Sequence, residues 1–290
     1  MLHRTYWKNP GLGVTSGPRK RGHTRSNEPT EGALSLRFNL LGAACALALV
    51  SMTAPASAEF AGVLGGNYAN IDVDHGGGNA NVYGVNGGGM FGLAPNWAGQ
   101  IDAGYHHLSG GGSDANQWNV DGTAFWRASA GRIGAAVGYN DISDGGGHAT
   151  NYGLFGDWYA TRSITLGVKG GYFNASHGED GEYAGAALTG YVMPDFSLTG
   201  SYDYSHFKGF TTENDYTAQA EWLISERTPF SVYGGYTRSE FSGTGGVAAN
   251  TWFVGVRFYC DPTDSATLVS RQRNGAEIYG TSFGPAALHL

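Results

Sequence analysis

The chain contains little charge, few cysteines and no long apolar run after residue 58. Charged residues are 14% of its 290 residues, compared with about 25% in an average soluble domain. Its two cysteines are Cys45 and Cys260. Because Cys45 lies in a predicted leader, the remaining chain cannot form an internal disulfide. Without an uninterrupted apolar stretch of about 20 residues after Ala58, that remainder has no candidate transmembrane helix.

Glycine and aromatic residues are abundant instead. The chain has 49 glycines, 7 tryptophans, 17 tyrosines and 14 phenylalanines, and an average protein contains only about 7% glycine. The glycines follow no strict three-residue period, which excludes a collagen-like fibre. The many aromatic residues argue against a disordered chain.

The first 58 residues are predicted to be a leader with a secretory signal. Arg37 precedes the apolar run Phe38–Met52, and small residues follow up to Ala58. This order is typical of a signal peptide cleaved after Ala58. An N-terminal anchor helix is the alternative, but the run is shorter than the roughly 20 residues that a span needs. We therefore predict three parts: the removed leader (1–58), a barrel (59–259) and a tail (260–290).

The processed chain is acidic and carries no cofactor motif. Residues 1–58 contain 7 of the 17 basic and 2 of the 24 acidic residues, which leaves 10 basic and 22 acidic. Nucleic acid is therefore excluded as a partner, because phosphate binding depends on Lys and Arg. The glycines at 87–89 lie in a predicted strand and open no helix, so no dinucleotide site is expected. We predict no cofactor.

Apolar and polar residues alternate from Phe60 to Tyr259. In Phe196–Ser205, for example, aromatic, leucine and glycine residues alternate with Ser, Thr and Asp. A period of two indicates β-strands, and a helical period would place Asp121 and Asp203 among apolar neighbours. The predicted strands are Phe60–Ile71, Asn81–Leu93, Trp97–Leu108, Gln117–Ala128, Arg132–Ile142, Thr150–Ala160, Ser163–Ala175, Glu182–Met193, Phe196–Ser205, Tyr216–Ile224, Pro229–Ser239 and Asn250–Tyr259.

The connections between these strands alternate between two classes. Short turns, several with Pro, Asn, Asp or Gly, are assigned to the periplasmic side. Longer segments, mostly rich in Gly, Ser, Asp and Asn, are assigned to the outside: Asp72–Ala80, Ser109–Ala115, Ser143–Ala149, Ser176–Gly181, His206–Asp215 and Ser242–Ala249. Aromatic residues lie near the strand ends, as in the two girdles of a membrane barrel. An exported chain of this kind crosses a membrane only by closing into a barrel.

With these features the chain resembles the Gram-negative outer-membrane β-barrel superfamily, in its porin-like branch. The resemblance rests on the signal Phe38–Ala58, the alternating strands and the aromatic finish Trp252–Tyr259. It implies an all-β, closed, antiparallel up-and-down transmembrane barrel of about 12 strands in contact with outer-membrane lipids. Barrels of this family usually end on such a strand, whereas here a tail follows. The tail is expected to be periplasmic or to fold into the lumen as a plug, and Ala276–Phe283 is a candidate additional strand.

The predicted lumen face carries charges of both signs. Its candidate polar residues are Asp102, Asp121, Arg127, Asp157, Lys169, Asp203, Glu221 and Arg257. Eight strands leave a filled interior and sixteen leave an open channel, so twelve predict a narrow or partly blocked lumen. Two functions stay open: a porin-like channel for small polar solutes or ions, with a slight preference for cations, and a non-conducting structural or surface-interaction barrel.

Histidines near the predicted outer loops raise two further alternatives. His75, His106, His107 and His148 are candidate metal ligands, because imidazole binds Zn²⁺ or Cu²⁺; ordinary polar residues of the loops are the simpler interpretation. His107, Ser109 and Asp114 are the best candidate trio for a lipid hydrolase. No G-x-S-x-G nucleophile elbow occurs, so we predict that the protein is not an enzyme.

Overall fold

The structure is a computed structural model that describes residues 60–74, 78–110, 113–143, 147–176, 180–209, 211–225, 228–243, 246–260 and 267–276. The predicted leader (1–58), His75 and residues 277–283 of the candidate thirteenth strand lie outside the described residues. No helix in the described part of the chain is long and apolar enough to cross a membrane.

Twelve strands close into one antiparallel barrel, in which each strand pairs with its neighbours in sequence and β1 also pairs with β12. This confirms the predicted fold class and strand number. The elements are β1 (Phe60–Val73), β2 (Gly78–Ala94), β3 (Trp97–Gly110), β4 (Ser113–Ala128), β5 (Gly131–Ile142), β6 (Gly147–Thr161), β7 (Ile164–Ala175), β8 (Gly181–Met193), β9 (Phe196–Phe207), β10 (Thr211–Ser225), β11 (Thr228–Ser242), β12 (Ala248–Cys260) and the helix α1 (Leu268–Asn274).

The two ends of the barrel differ in their connections. At one end, the turn end, the connections are residues 95–96, 129–130, 162–163, 194–195 and 226–227. In the first of these turns Asn96 has a φ of 68°, a left-handed conformation that asparagine tolerates better than most residues. At the other end, the loop end, the connections are residues 74–77, 111–112, 143–146, 176–180, 208–210 and 243–247.

The strands reach further toward the loop end than the sequence predicted. β2 begins at Gly78 rather than Asn81, and β10 begins at Thr211 rather than Tyr216. The extra residues are mostly polar, which made them resemble a loop. They stay in the sheet because both neighbouring strands continue the ladder beside them, as at Glu213, which pairs with Ser205 and Phe241.

The outer face of the barrel has an apolar band between two aromatic rings. Within the band, the outward positions hold only Gly, Ala, Val, Leu and Ile, and Leu154, Val168 and Val192 are 66%, 62% and 65% exposed. The loop-end ring consists of Tyr68, Tyr83, Tyr105, Trp118, Tyr139, Tyr152, Tyr172, Tyr202, Tyr204, Tyr216, Tyr236 and Trp252. The turn-end ring consists of Phe60, Phe91, Trp97, Trp126, Trp158, Phe196, Trp222, Phe230 and Phe258. Such a surface is suited to contact with lipid.

Candidate functional site: the barrel lumen

The opposite face of the strands lines the lumen, and it is polar. In β3 the lumen positions include Gln100, Asp102 and His106, which are 1%, 1% and 3% exposed, whereas Trp97 and Ile101 on the outer face are 48% and 43% exposed. All eight candidate polar residues from the sequence lie on this face. Asp102, Asp121 and Glu221 are buried, and the other five are partly exposed to the lumen.

Five of the eight candidates form ion pairs with oppositely charged side chains, and a sixth, Arg127, contacts helix α1. Three ion pairs cross between lumen-facing side chains: Arg132 Nε to Asp157 Oδ2 at 2.6 Å, Lys169 Nζ to Asp203 Oδ1 at 2.7 Å, and Arg257 Nη1 to Glu221 Oε2 at 2.5 Å. Arg132 is not among the residues predicted for the lumen, although its position beside a turn glycine and its parity in β5 place it on the lumen face. Arg127 Nη1 contacts the Asn274 carbonyl at 3.5 Å.

Asp102 and Asp121 lie directly opposite each other in the β3–β4 register. Both carboxylates are held by neutral amides. Gln100 Nε2 donates to Asp102 at 2.8 and 3.0 Å, and Asn119 Nδ2 donates to Asp121 at 3.0 Å. These two acidic residues are therefore part of a tightly packed polar wall, and the wall continues into β5 and β6 through buried Asn140 and Asn151.

Glu221 is the centre of a hydrogen-bond network near the turn end. Its carboxylate accepts hydrogen bonds from Ser231 Oγ at 2.6 Å, from the Tyr259 hydroxyl at 2.7 Å and from Gln272 Nε2 at 3.3 Å, in addition to Arg257. A buried carboxylate with this many donors is well compensated. The network therefore joins β10, β11 and β12 to the tail.

Lumen-facing side chains are more accessible along β7–β11 than along β3–β6. The wall formed by β3–β6 is mostly buried, whereas the middle of β7–β11 carries partly exposed hydroxyl and amide side chains. We call these residues the polar tract: Thr189, Thr199, Ser201, Thr217, Gln219 and Thr237. Two hydroxyl pairs link neighbouring strands at 2.9 Å, Thr189 with Thr199 and Thr217 with Thr237. The tract was not predicted from the sequence because its residues are uncharged, and the lumen prediction rested on charged residues.

Glycines on the lumen face give room to the large side chains of neighbouring strands. A Cβ atom at Gly138 would overlap Asp121 Oδ1 and Asn151 Oδ1, and one at Gly255 would overlap the Tyr233 ring. These side chains therefore lie flat against the wall instead of pointing to the axis. The bore of the lumen depends on this arrangement of large residues beside glycines.

Helix α1 lies in the turn-end mouth of the lumen. Leu268 is fully buried, and it belongs to the same apolar cluster as Ala61, Val63, Met90 and other lumen-facing residues. On the other side of the mouth the Tyr191 hydroxyl donates to Gln272 Oε1 at 2.7 Å. The helix begins after Thr267, whose side chain accepts a hydrogen bond from the Ser270 amide at the N-terminus. Of the two expected positions of the tail, these contacts favour the lumen for residues 267–276.

Arg271 and Arg273 attach the helix to aromatic residues of the lumen. The Arg271 guanidinium lies over the Tyr259 ring at 5.4 Å, and the Arg273 guanidinium lies over the Tyr159 and Tyr191 rings at 4.6 and 5.5 Å. Cation–π contacts of this kind add to the hydrogen bonds. The helix is thus held from several sides of the barrel.

The candidate histidines do not converge on one site. His106 is buried on the lumen face, whereas His107 and His148 lie on the outer face, where His148 stacks on Tyr139 at 5.9 Å. Within the described ranges, no group of three or more His, Cys, Asp or Glu side chains is placed to hold a metal ion.

His107 belongs instead to a structural motif that recurs around the loop-end rim. In four hairpins a tyrosine hydroxyl donates to an asparagine Oδ1 of the next strand, and we call this the rim motif. Its pairs are Tyr68–Asn81 at 2.8 Å, Tyr105–Asn116 at 2.7 Å, Tyr202–Asn214 at 2.8 Å and Tyr236–Asn250 at 2.6 Å. A signal for it exists in the sequence as Asn-x-Tyr or Asn-x-Trp at the start of four even-numbered strands.

A second donor reaches the same asparagine in three of these hairpins. Asn70 Nδ2 reaches Asn81 at 3.0 Å, His107 Nδ1 reaches Asn116 at 2.9 Å, and Arg238 Nη1 reaches Asn250 at 3.0 Å. His107 thus occupies the position that Asn70 and Arg238 occupy in the equivalent hairpins. Its bond to Asn116 is explained by the rim motif. The other members of the candidate hydrolase trio, Ser109 and Asp114, pair across β3 and β4 on the same face.

Comparison with known structures identifies similar barrels. The outer membrane channel from Pseudomonas putida F1 matches with a TM-score of 0.52 and 9% identity, over 71% of this chain and 97% of that chain. The KdgM porin matches with a TM-score of 0.48 and 10% identity, over 67% of this chain and 98% of that chain. No protein-family model and no curated sequence matches the chain. The chain therefore has a porin-like barrel fold, as the sequence predicted.

Proposed function

We propose that the protein is an integral outer-membrane channel that passes small polar solutes through a narrow lumen. The observation that carries this proposal is the polar tract, because partly exposed hydroxyl groups line one side of a barrel whose outer band is wholly apolar. A barrel needed only as a membrane anchor has no need for accessible polar groups in its interior. A hydrated solute loses part of its water when it enters a narrow pore, and hydrogen-bonding groups along the pore replace the hydrogen bonds that it made to that water.

Three features make the lumen narrow. The wall of β3–β6 is filled with buried side chains, and helix α1 covers part of the turn-end mouth. Twelve strands also lie between the filled eight-stranded barrels and the open sixteen-stranded porins. We therefore expect passage of monosaccharide-sized solutes and exclusion of large oligomers.

The second candidate is a non-conducting structural barrel, which the position of helix α1 favours. Single-channel recording of the purified full chain in planar bilayers distinguishes the two candidates. Stable conductance steps that become larger or more frequent in Arg273→Ala, a variant with a weakened helix contact, support the channel. Absence of steps at every voltage, in the full chain and in this variant alike, refutes it. Arg162→Ala, in the exposed turn between β6 and β7, is the matched control.

The channel proposal also includes export and contact with outer-membrane lipids. The leader with its apolar run and small-residue site supports cleavage after Ala58. Intact-mass analysis of the chain from outer-membrane fractions tests this: a chain that begins at residue 59 agrees with the proposal, and an uncleaved chain contradicts it. The aromatic rings and the apolar band between them support lipid as the surrounding partner.

A further inference from the structure

The apolar band on the outer face has a recess over β8–β12, with a volume of about 890 Å³. Leu188 and Val254, which are 51% and 50% exposed, form its sides. Its floor is formed by small outward residues of three adjacent strands: Gly200, Ala218, Ala220 and Gly234. Because these positions lie between the two aromatic rings, the recess is at the depth of the hydrocarbon.

A row of three polar side chains lies on the same outer face, between the recess and the loop end. We call it the head row: Tyr204 of β9, Asn214 of β10 and Glu240 of β11. Asn214 pairs with Tyr204 on one side and with Glu240 on the other, and directly opposite residues have Cβ atoms about 5 Å apart. From Asn214 to Ala218 the strand advances about 13 Å. The head row therefore lies at the polar boundary that the loop-end ring marks.

Each member of the head row has hydrogen-bonding capacity that the described part of the chain does not use. Asn214 Oδ1 accepts from the Tyr202 hydroxyl at 2.8 Å, and among the described residues its Nδ2 group has no acceptor. Arg238 Nε donates to Glu240 Oε1 at 3.0 Å, which orients this half-exposed carboxylate and leaves Oε2 as an acceptor. The Tyr204 hydroxyl makes no hydrogen bond within the described ranges. The row thus presents a donor, an acceptor and a hydroxyl group that can act as both.

An equivalent hairpin shows which partner an asparagine of the rim motif takes. Asn250 Oδ1 accepts from the Tyr236 hydroxyl at 2.6 Å, and Asn250 Nδ2 donates to Asp74 Oδ1 at 3.0 Å. The tyrosine holds the amide oxygen, so the amide NH₂ is directed to a separate oxygen acceptor. Asn214 is held in the same way, and it offers this donor to an acceptor from outside the described chain.

We propose that this face binds one glycolipid, with an acyl chain in the recess and the sugar hydroxyl groups on the head row. The proposal rests on the membrane location in the proposed function. At hydrocarbon depth the occupant of the recess must be apolar. A second barrel fills the recess poorly, because two convex walls meet along a line and leave the floor of a recess uncovered, whereas a flexible chain reaches it.

The head row favours a sugar over the headgroup of a phospholipid. Sugar hydroxyl groups both donate and accept, so one sugar can bond to Asn214, Glu240 and Tyr204 together. A phosphate has oxygen acceptors only, and the Glu240 carboxylate beside Asn214 repels its negative charge. The set of donor, acceptor and hydroxyl group is therefore complementary to a neutral headgroup rich in hydroxyls.

Native mass spectrometry of the full-length protein in micelles of a polyoxyethylene detergent tests the proposal. Three lipids with the same oleoyl chains are titrated: glucosyl-diacylglycerol, phosphatidylglycerol and phosphatidylethanolamine. We expect one glucosyl-diacylglycerol to bind, about tenfold more tightly than either phospholipid, because each additional hydrogen bond contributes a factor of a few. Equal binding of the three lipids overturns the assignment of the sugar. Methyl glucoside that binds as tightly as the glycolipid overturns the role of the recess.

Two pairs of variants examine the head row and the recess separately. Asn214→Ala is expected to weaken glycolipid binding about three- to tenfold through loss of one donor. Its matched control is Asn116→Ala, which removes the same rim motif in β4, above the exposed Val120 instead of the recess. Gly200→Leu is expected to weaken binding several-fold, because the leucine takes the space of the chain and removes its packing contacts. Gly122→Leu is the control, since a Cβ at either glycine meets no atom within 4 Å.

Failure of the glycolipid site is distinguishable from failure of the proposed function. Equal affinities within either pair of variants contradict the site, and single-channel conductance of the same preparation then shows that the channel stands without it. Particles of two chains that are lost in Gly200→Leu but kept in Gly122→Leu would assign the recess to a second copy and overturn the glycolipid. Protein that stays monodisperse in buffer without detergent refutes the membrane location and the site together.

Discussion

Helix α1 is expected to detach from the turn-end mouth when Arg273 is replaced by alanine. The Arg273 guanidinium donates to Thr165 Oγ1 at 3.1 Å and to the carbonyls of Thr161 and Ile164 at 2.9 and 3.0 Å. All three acceptors lie at the turn between β6 and β7. The substitution removes every one of these contacts and leaves the barrel strands unchanged.

The magnitude follows from these contacts. A hydrogen bond to a charged group contributes about 1.5–3 kcal/mol when buried, and the exposure of this guanidinium reduces each bond to a fraction of that value. The stacking over the Tyr159 and Tyr191 rings adds about 0.5–1 kcal/mol. A total near 3 kcal/mol changes the ratio of docked to detached helix by about 150-fold.

Limited trypsin digestion of the folded barrel measures this change. Arg271 is buried in the docked helix, so cleavage after it requires local opening, and the rate follows the population of the open form. We expect cleavage after Arg271 to be about 100-fold faster in Arg273→Ala. Arg162→Ala should cleave like the parent chain, and heat-modifiable gel mobility should show an intact barrel in all three. Equal rates at Arg271 in Arg273→Ala and the parent would show that these contacts do not hold the helix.

Three further predictions concern the barrel wall. Gly138→Ala should lower the free energy of unfolding by about 1–3 kcal/mol, because the added Cβ overlaps two oxygens of lumen side chains. Gly122→Ala on the outer face should leave the free energy of unfolding unchanged, because its Cβ meets no atom within 4 Å. Urea unfolding in detergent measures both values. Asn81→Ala should cost about 1 kcal/mol through loss of the rim motif, and Asn174→Ala on the outer face of β7 should cost less by the same measurement. Lys169→Met should shift the channel toward cations by leaving its carboxylate partner unpaired, seen as a changed reversal potential in a KCl gradient.

The alternation of residues predicted the faces of the strands because the β period is a local property. Asp102, Asp121 and Asp203 were assigned to the lumen from parity alone, and parity does not depend on which strand is the neighbour. The extra strand length at the loop end was missed because Thr211 to Asp215 have a loop-like composition. Their place in the ladder depends on β9 and β11, so no local pattern reveals it.

The tail was harder to predict because its position depends on contacts with residues far away in sequence. Helix α1 has only seven residues, too few to be stable alone in water. Thr267 as an N-terminal cap and Gly275 after the last turn are visible in the sequence, but they define at most a short helix. Its place in the lumen follows from contacts of Arg273 with Tyr159, Thr165 and Tyr191, which lie more than about 80 residues earlier in the chain.

The composition of the chain also could not show where the charges lie along the lumen. An acidic excess over the whole chain favoured cations, because composition averages over position. The structure separates the charges along the axis, with Arg127, Arg132 and Arg257 near the turn end and Asp215 near the loop end. The height of a residue in the barrel depends on its distance from a turn, and every second strand runs in the opposite direction. A charge near the start of β5 and a charge near the end of β12 therefore lie at the same end of the barrel, which the total charge of the chain does not show.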